Sequence, residues 1–551
     1  MVTKRCYLLG EDPSTAVDIE LPDSTGIQEW QDYAAAQYGI VDPTGVDFIC
    51  NNHKVTSTSM LTAFEEPIVI AIDGKAVRDV PGPDGVPFFG NTFDVFPDHL
   101  RRNQNFFEQY GPIFTQTNTG SQIYLTNDPK LCTIFSAESE FFTKNIVPGH
   151  PLFPIKDPNA GVFLGDTDTE EWRLAHKFMP PALGPKAVRH YAPAMQKCVE
   201  SSFNVFDELD KRDEAFNVYP YMLKLGSQTI GKLVLGMDFN HFTDPDAPLD
   251  ELVRLIADSL VLNKKVASVG SWYQHLPFGD PKRLRQIWVR LNELITQAAE
   301  RASKGESNLE LQDAALKSEN VIDYLLRATD NKGNQLPKEQ FLHTLTVATG
   351  AGFTTTSSLL SWLTFALVRY PGVQDRLLQE LVDAGWTLDK QVTADEVNSL
   401  PYLDKLMKET QRRHNPSYQP GRTAKTDMIL PGGYKLPKGA IVISSIPHIH
   451  NNAKVWDEPY KFDPDRWDTE KVKNRPAGSY VPFMMGPRSC IGFNLALLEA
   501  KIFIAKLVFR YRYSEVDAGT VQYDPYFQLI RPVNLYVRAE RRVKWPPKTE
   551  E

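Results

Sequence analysis

"FMMGPRSCIGFNLALLEA", Phe483 to Ala500, sets one cysteine between two glycines just ahead of a strongly apolar run. Gly486 precedes Cys490 and Gly492 follows it. Glycine allows backbone angles that other residues avoid, and it lets a flat ligand approach closely. The run "FNLALLEAKIFIAKLVF" has helical apolar spacing. Cys490 therefore falls near a helix N-terminus, where the dipole favours a thiolate and lowers its pKa. Arg488 adds positive charge beside it. The competing reading is a buried structural thiol, since free cysteine is among the most buried residue types.

The totals narrow the chemistry open to that thiol. The chain has 551 residues, 42% hydrophobic and 23% charged, an ordinary globular composition with ample material for a large core. Its net charge is -9, which argues against nucleic-acid binding, a function that usually needs a basic face. The cysteines are Cys6, Cys50, Cys132, Cys198 and Cys490, an odd number with no C-x-x-C spacing. A disulfide framework or structural zinc site is not expected, and a reducing compartment is. A lone thiolate cannot hold zinc or an iron–sulfur cluster, but it can be one axial ligand of haem iron. The amino terminus lacks a signal-peptide core. No segment offers about 18 consecutive apolar residues, so no transmembrane segment is expected. A cytoplasmic chain follows, with room for peripheral membrane contact.

Three other stretches carry chemistry-bearing residues. In "KETQRRHNP" the three-residue spacing of Glu409 and Arg412 puts them on one helical face, where such a pair is usually a solvated bridge. In "LTVATGAGFTTTSSLLSWLTFALV" apolar helical flanks enclose Gly350, Ala351, Gly352 and the threonines 354 to 356, a poor helix-forming centre. Two glycines there cost roughly 1–2 kcal/mol relative to alanine. A buried helix would keep them if something bulky lay against its backbone, and a hydroxyl there could bond to an upstream carbonyl. In "EEWRLAHKF" Trp172 and His176 share a helical face, an arrangement more often used for core packing.

Taken together, these stretches resemble the cytochrome P-450 family of haem-thiolate monooxygenases. "FMMGPRSCIG" matches the family's haem loop F-x-x-G-x-R-x-C-x-G at every specified position, Phe483, Gly486, Arg488, Cys490 and Gly492. "PGPDGVPFFGN" resembles its proline-rich hinge, "EEWRLAH" its early propionate-binding helix and "AGFTTTS" its oxygen-activation motif. "ETQR" resembles its E-x-x-R pair and "FDPDRW" its meander. The resemblance implies haem b with Cys490 as axial ligand, and Trp172, His176, Arg422 and Arg488 as propionate partners. It implies Glu409, Arg412 and Arg466 as a structural network, and Ala351, Gly352, Thr354 and Thr355 in the oxygen site, with Thr355 as the oxygen-activating hydroxyl. One position departs. Thr354 stands where the family usually has an acid, and it supplies no titrating group for proton delivery.

The resemblance is closest to the soluble fatty-acid-hydroxylase branch, but no flavin or nicotinamide segment follows the haem region. It therefore implies a monomeric enzyme that inserts one atom of O2 into an apolar or amphipathic substrate, a fatty acid or a secondary-metabolite intermediate. NADPH would act only through a separate reductase. The alternative is a peroxygenase or isomerase that needs no reductase. "SYQPG", with Tyr418 and Gln419, is expected to line the pocket.

The expected fold is mainly α with small β-sheets over residues 79–551, the cytochrome P-450 fold. "DVPGPDGVPFFGN" marks the boundary before it. Residues 1–78 lie outside the resemblance. "RCYLL", "VDIEL", "VDFIC" and "PIVIAI" read as strands and "IQEWQDYAAAQYG" as a helix. That order resembles a small α+β ubiquitin-like (β-grasp) unit, and an extension packed on the main body is the alternative.

Overall fold

Alternating buried and exposed residues make strands of the first two segments, β1 (Val2–Leu8) and β2 (Val17–Leu21), which pair antiparallel with Lys4 opposite Ile19. Helix α1 (Ile27–Tyr38) buries Trp30, Ala34 and Ala35 on one face and ends at Gly39, whose φ of 66° suits glycine. β3 (Val46–Cys50), β4 (His53–Lys54) and β5 (Ile68–Ile72) complete a sheet of order β2-β1-β5-β3-β4, with β1 and β5 parallel at its centre. Trp30, Ile19, Phe48 and Ile70 share one core, so this small α+β unit buries its own apolar face. The computed structural model describes residues 1–64, 67–302, 309–417, 420–517 and 519–550.

The unit is also fastened to the body. The Val41 N–H donates to the Ile429 carbonyl at 3.0 Å, and the Ile429 N–H donates to Gly39 at 2.9 Å. The Ile429 side chain belongs to the unit's core. Asp42 pairs with Lys130 at 2.5 Å, and Asp73 accepts from the Gly432 N–H at 2.8 Å. A chain beginning at Asp79 uncovers Ile429 and leaves its backbone groups unpaired, which costs stability. Such a truncation is expected to melt lower and to aggregate on concentration, as light scattering during a thermal ramp would record. Unchanged melting would mean that the contacts are idle.

The body is mainly helical with small sheets. Its axis is the central helix Lys338–Arg369, 32 residues long. This is the one described helix long and apolar enough to cross a membrane, and 72% of its apolar window is buried inside the protein. It packs against helices Val218–Ile230, Gly279–Arg301 and Phe493–Arg510. A five-stranded sheet brings Gly421–Ala424 and Ile441–Ser444 beside Ile113–Asn118, Ser121–Thr126 and Phe142–Thr143. The proline-rich hinge runs flush along this sheet. A Cβ on Gly82 would meet the Thr115 carbonyl at 2.1 Å, and one on Gly90 the Thr117 carbonyl at 2.0 Å.

Candidate active site

Four of the five cysteines are buried, and Cys490 alone is exposed. The buried-thiol reading therefore fails at the one position where the motif stands. The Cys490 N–H donates to the Phe483 carbonyl at 2.9 Å, and the Ser489 N–H to Gly486 at 3.0 Å, closing a tight loop. Gly492 is the N-cap of helix Phe493–Arg510. Gly486 has φ 77°, and a Cβ there would lie 2.3 Å from the Ser136 carbonyl. Gly486→Ala thus combines a left-handed penalty of roughly 1–2 kcal/mol with a backbone clash. Its expected result is a marked loss of haem occupancy, read as the Soret-to-protein absorbance ratio.

The thiol differs from the sequence expectation in one respect. Burial pushes Cys490 above its ordinary pKa, and only the Gly492 N–H opposes this. The helix end and Arg488 do not overcome desolvation, because Arg488 is turned elsewhere. Cys490 is thus open to solvent on one side and packed by protein on the others. A cation facing it would supply the missing stabilisation of a thiolate.

Arg488 donates to the Gly165 carbonyl at 2.9 Å and lies over the Trp172 ring at 5.3 Å, leaving its Nη1 buried and unpartnered. Arg422 donates to Gly421 at 2.8 Å, while its Nε and Nη2 have no hydrogen-bond acceptor and Glu138 lies 3.6 Å from Nε. The Trp172 Nε1 and the His150 Nε2 are also buried without partners. His150 Nδ1 accepts from the Leu152 N–H at 3.1 Å, so Nε2 carries the proton of this neutral ring. Lys144 is buried over the Phe163 ring, and Lys156 pairs with Asp166 at 2.6 Å.

Four cations therefore stand here against the carboxylates of Glu138 and Asp166. Burial and each other's charge pull Arg488 down to about 10 and Lys144 well below its ordinary value. Burial lowers Arg422 and holds His150 near 3. Buried donors without acceptors and an excess of two positive charges fit a group bearing two carboxylates, such as haem with its propionates. His176 lies tilted against Trp172 with ring centroids 4.9 Å apart, and partial desolvation and the Arg488 charge lower its pKa. Trp172 and Arg422 thus gather around Arg488, with His176 beside Trp172. Lys144 and His150 escaped the sequence reading because they lie in the aperiodic loop "TKNIVPGH".

The central helix runs unbroken through its glycines and threonines. Ala351 is exposed in mid-helix, and Val347, Ala348, Gly352 and Thr355 are partly so, a stripe at helical spacing within a buried element. Thr355 Oγ1 donates to the Ala351 carbonyl at 2.8 Å. Thr354 is 2% exposed and its hydroxyl donates to Gly350 at 2.7 Å, so it sits beside the open stripe rather than on it. The bulky neighbours that explain the glycines are side chains of the protein itself. A Cβ on Gly352 would meet Ile230 at 2.8 Å, and one on Gly350 would meet Ile256 at 3.1 Å.

Glu409 and Arg412 are both fully buried, the reverse of a solvated bridge. Arg412 grips both carboxylate oxygens at 2.9 and 2.8 Å, and Arg466 reaches one of them at 3.0 Å. Trp467 Nε1 and the Asp463 N–H also donate to that carboxylate, at 3.2 and 2.9 Å. Tyr418 and Gln419 lie outside the described residues.

Comparisons with known proteins agree with this geometry. A sequence model of the family Cytochrome P450 matches residues 80–536. Over the full length of both chains, the protein is 44% identical to Cytochrome P450 monooxygenase alnD of Emericella nidulans. It is 26% identical to the bifunctional cytochrome P450/NADPH–P450 reductase ascE of Acremonium egyptiacum, covering 84% of this chain and 43% of that one. The crystal structure of the cytochrome P450DA heme domain superposes with a TM-score of 0.74 at 22% identity, covering 85% of this chain and 98% of that one.

Proposed function

This chain belongs to the cytochrome P450 family and is a monooxygenase, and from that premise we propose that it hydroxylates an apolar or amphipathic substrate with electrons from a separate NADPH-dependent reductase. The observation that carries this reading is the open stripe of the central helix. Val347, Ala348 and Ala351 give it an apolar surface, and Thr355 supplies its one hydroxyl. Pockets for apolar ligands are built this way, with few polar groups that fix orientation. A fatty acid or a secondary-metabolite intermediate fits such a wall.

Trp172, His150, Lys144, Arg422 and Arg488 would hold the propionates of haem b, and the Cys490 thiolate would bind its iron. When bound, that group would supply dioxygen activation, and a thiolate ligand would donate electron density to it. The protein's own part is to orient the substrate and exclude water. Thr355 Oγ1 rests its proton on the Ala351 carbonyl and can turn it toward the open side of the helix. Thr354 spends its hydroxyl on Gly350 and stands off the wall.

The reading is tested by adding cytochrome P450 reductase and NADPH to the haem-loaded protein with a panel of fatty acids and apolar natural-product scaffolds. Substrate-stimulated NADPH oxidation with a hydroxylated product supports it. Turnover on hydrogen peroxide alone, with none on NADPH and reductase, would favour a peroxygenase. For Thr355→Ala, product formed per NADPH should fall several-fold at unchanged substrate-binding spectra, because a positioned hydroxyl that can pass a proton is lost while the wall is kept.

A further inference from the structure

The family match begins at residue 80 and leaves residues 1–78 outside it. These residues hold five Lys and Arg against twelve Asp and Glu, a net -7 of the chain's -9. Part of that charge is used in docking to the body, through Asp42 with Lys130, Glu11 with Lys435, and Asp73 on the Gly432 N–H. Four more of these acids, Asp18, Glu20, Glu29 and Asp32, lie on β2 and α1, with β2 at one edge of the sheet.

β2 is an edge strand, paired with β1 on one side only. Beside it runs a groove lined by Leu21, Pro22, Thr25, Tyr33 and Ala36 together with the acids Glu29 and Asp32. Tyr33 is 47% exposed, an aromatic ring turned to solvent. Glu29, Asp32, Tyr33 and Ala36 recur at helical spacing on the face of α1 opposite Trp30 and Ala34. On the other face of the edge strand, Asp18 and Glu20 are exposed. Among the described residues none of these four carboxylates forms an ion pair. Arg5 stands across from Asp18 in β1, which leaves Glu20, Glu29 and Asp32 uncompensated.

We propose that the β2–α1 groove docks a basic, extended segment of a partner protein, added to the free edge of β2 as a sixth strand. Edge strands offer unpaired N–H and C=O groups that a further strand can satisfy. A strand laid there alternates its side chains between two faces. On one face apolar residues meet Leu21, Tyr33 and Ala36, and on the other lysines or arginines stand beside Asp18 and Glu20. The same charges exclude two competing occupants. A second copy of this chain would oppose carboxylate to carboxylate, which destabilises cross-strand pairs. An anionic lipid surface would be repelled. This surface is additional to the monooxygenase reaction and does not depend on the substrate class.

The test uses the full-length, haem-loaded protein. A fluorescent eight-residue peptide of alternating lysine and valine is titrated by anisotropy at 20 mM and 200 mM salt. The expected result is saturable one-to-one binding, weaker at the higher salt, and absent for the glutamate–valine counterpart. Glu29→Lys with Asp32→Lys should weaken it at least ten-fold, and Tyr33→Ala should weaken it without any change of charge. Both variants should keep the wild-type carbon-monoxide spectrum. Methylating alternate backbone nitrogens of the peptide should abolish binding, because strand addition needs those donors. Binding that survives charge reversal or backbone methylation, or that never saturates, would overturn the proposal. So would preferential binding to phosphatidylserine vesicles.

Discussion

Cys490→Ser loses the strongly red-shifted carbon-monoxide Soret band of the reduced wild-type protein, and monooxygenase activity falls to background. Cys132→Ser, the matched control, keeps both. The contrast follows from where the thiols lie. Cys132 is buried in the helix Pro129–Ser136 against Ile449 and Val481, just behind the haem loop. Cys490 is the one cysteine open to a ligand, in a loop closed by its own N–H on the Phe483 carbonyl. Serine preserves that loop, because the bond uses backbone atoms, so the substitution removes the ligand and leaves the cradle. An alkoxide from serine is far harder to form than a thiolate and matches iron less well. The orphaned donors of Arg422, Arg488, Trp172 and His150 are untouched, so some haem should remain bound with an altered axial ligand. A retained red-shifted band in Cys490→Ser would remove the axial assignment and the placing of the active site with it.

Much of this site was legible because the chemistry is written at short range. The loop Phe483–Gly492 needs a thiol, two glycines and an arginine at fixed offsets, and those offsets survive any change in the surroundings. The Trp172 helix and the Glu409–Arg412 spacing were legible in the same way, by helical period. Their environments were not. Spacing alone made Glu409 and Arg412 a solvated bridge, whereas the fold buries both under the carbonyls of His450, Pro459 and Lys461. Burial is a property of the whole chain, and a nine-residue stretch does not contain it. Gly352 shows the converse. Its need for a missing side chain was evident, but the neighbour proved to be Ile230, distant in sequence and close only after folding. Lys144 and His150 carried no periodic or motif signal, and only the buried charge of one and the unpartnered Nε2 of the other mark them.

Arg412→Ala is the second large effect, expected to cost about 3–5 kcal/mol, as removal of one partner from a buried ion pair does. Against a total stability of about 5–15 kcal/mol, that leaves little folded protein at growth temperature. The cost is large because Arg412 answers several acceptors at once. It binds both oxygens of Glu409 and the carbonyls of His450, Pro459 and Lys461, at 2.8 to 3.1 Å. Those carbonyls belong to the segment that leads through Arg466 to the haem loop, so the loss should appear as poor haem retention as well as low melting temperature. Arg412→Lys should rescue little, since an ammonium lacks the planar fork that spans a carboxylate and three carbonyls. Arg466→Ala should cost less, because Glu409 then keeps its bidentate partner and the Trp467 and Asp463 donors. The order Arg412→Ala, then Arg412→Lys, then Arg466→Ala, from most to least damaging, is the signature of a network organised around one buried carboxylate. Equal effects of all three would mean that the segment is held by packing alone, and that the pair gives no more than its volume.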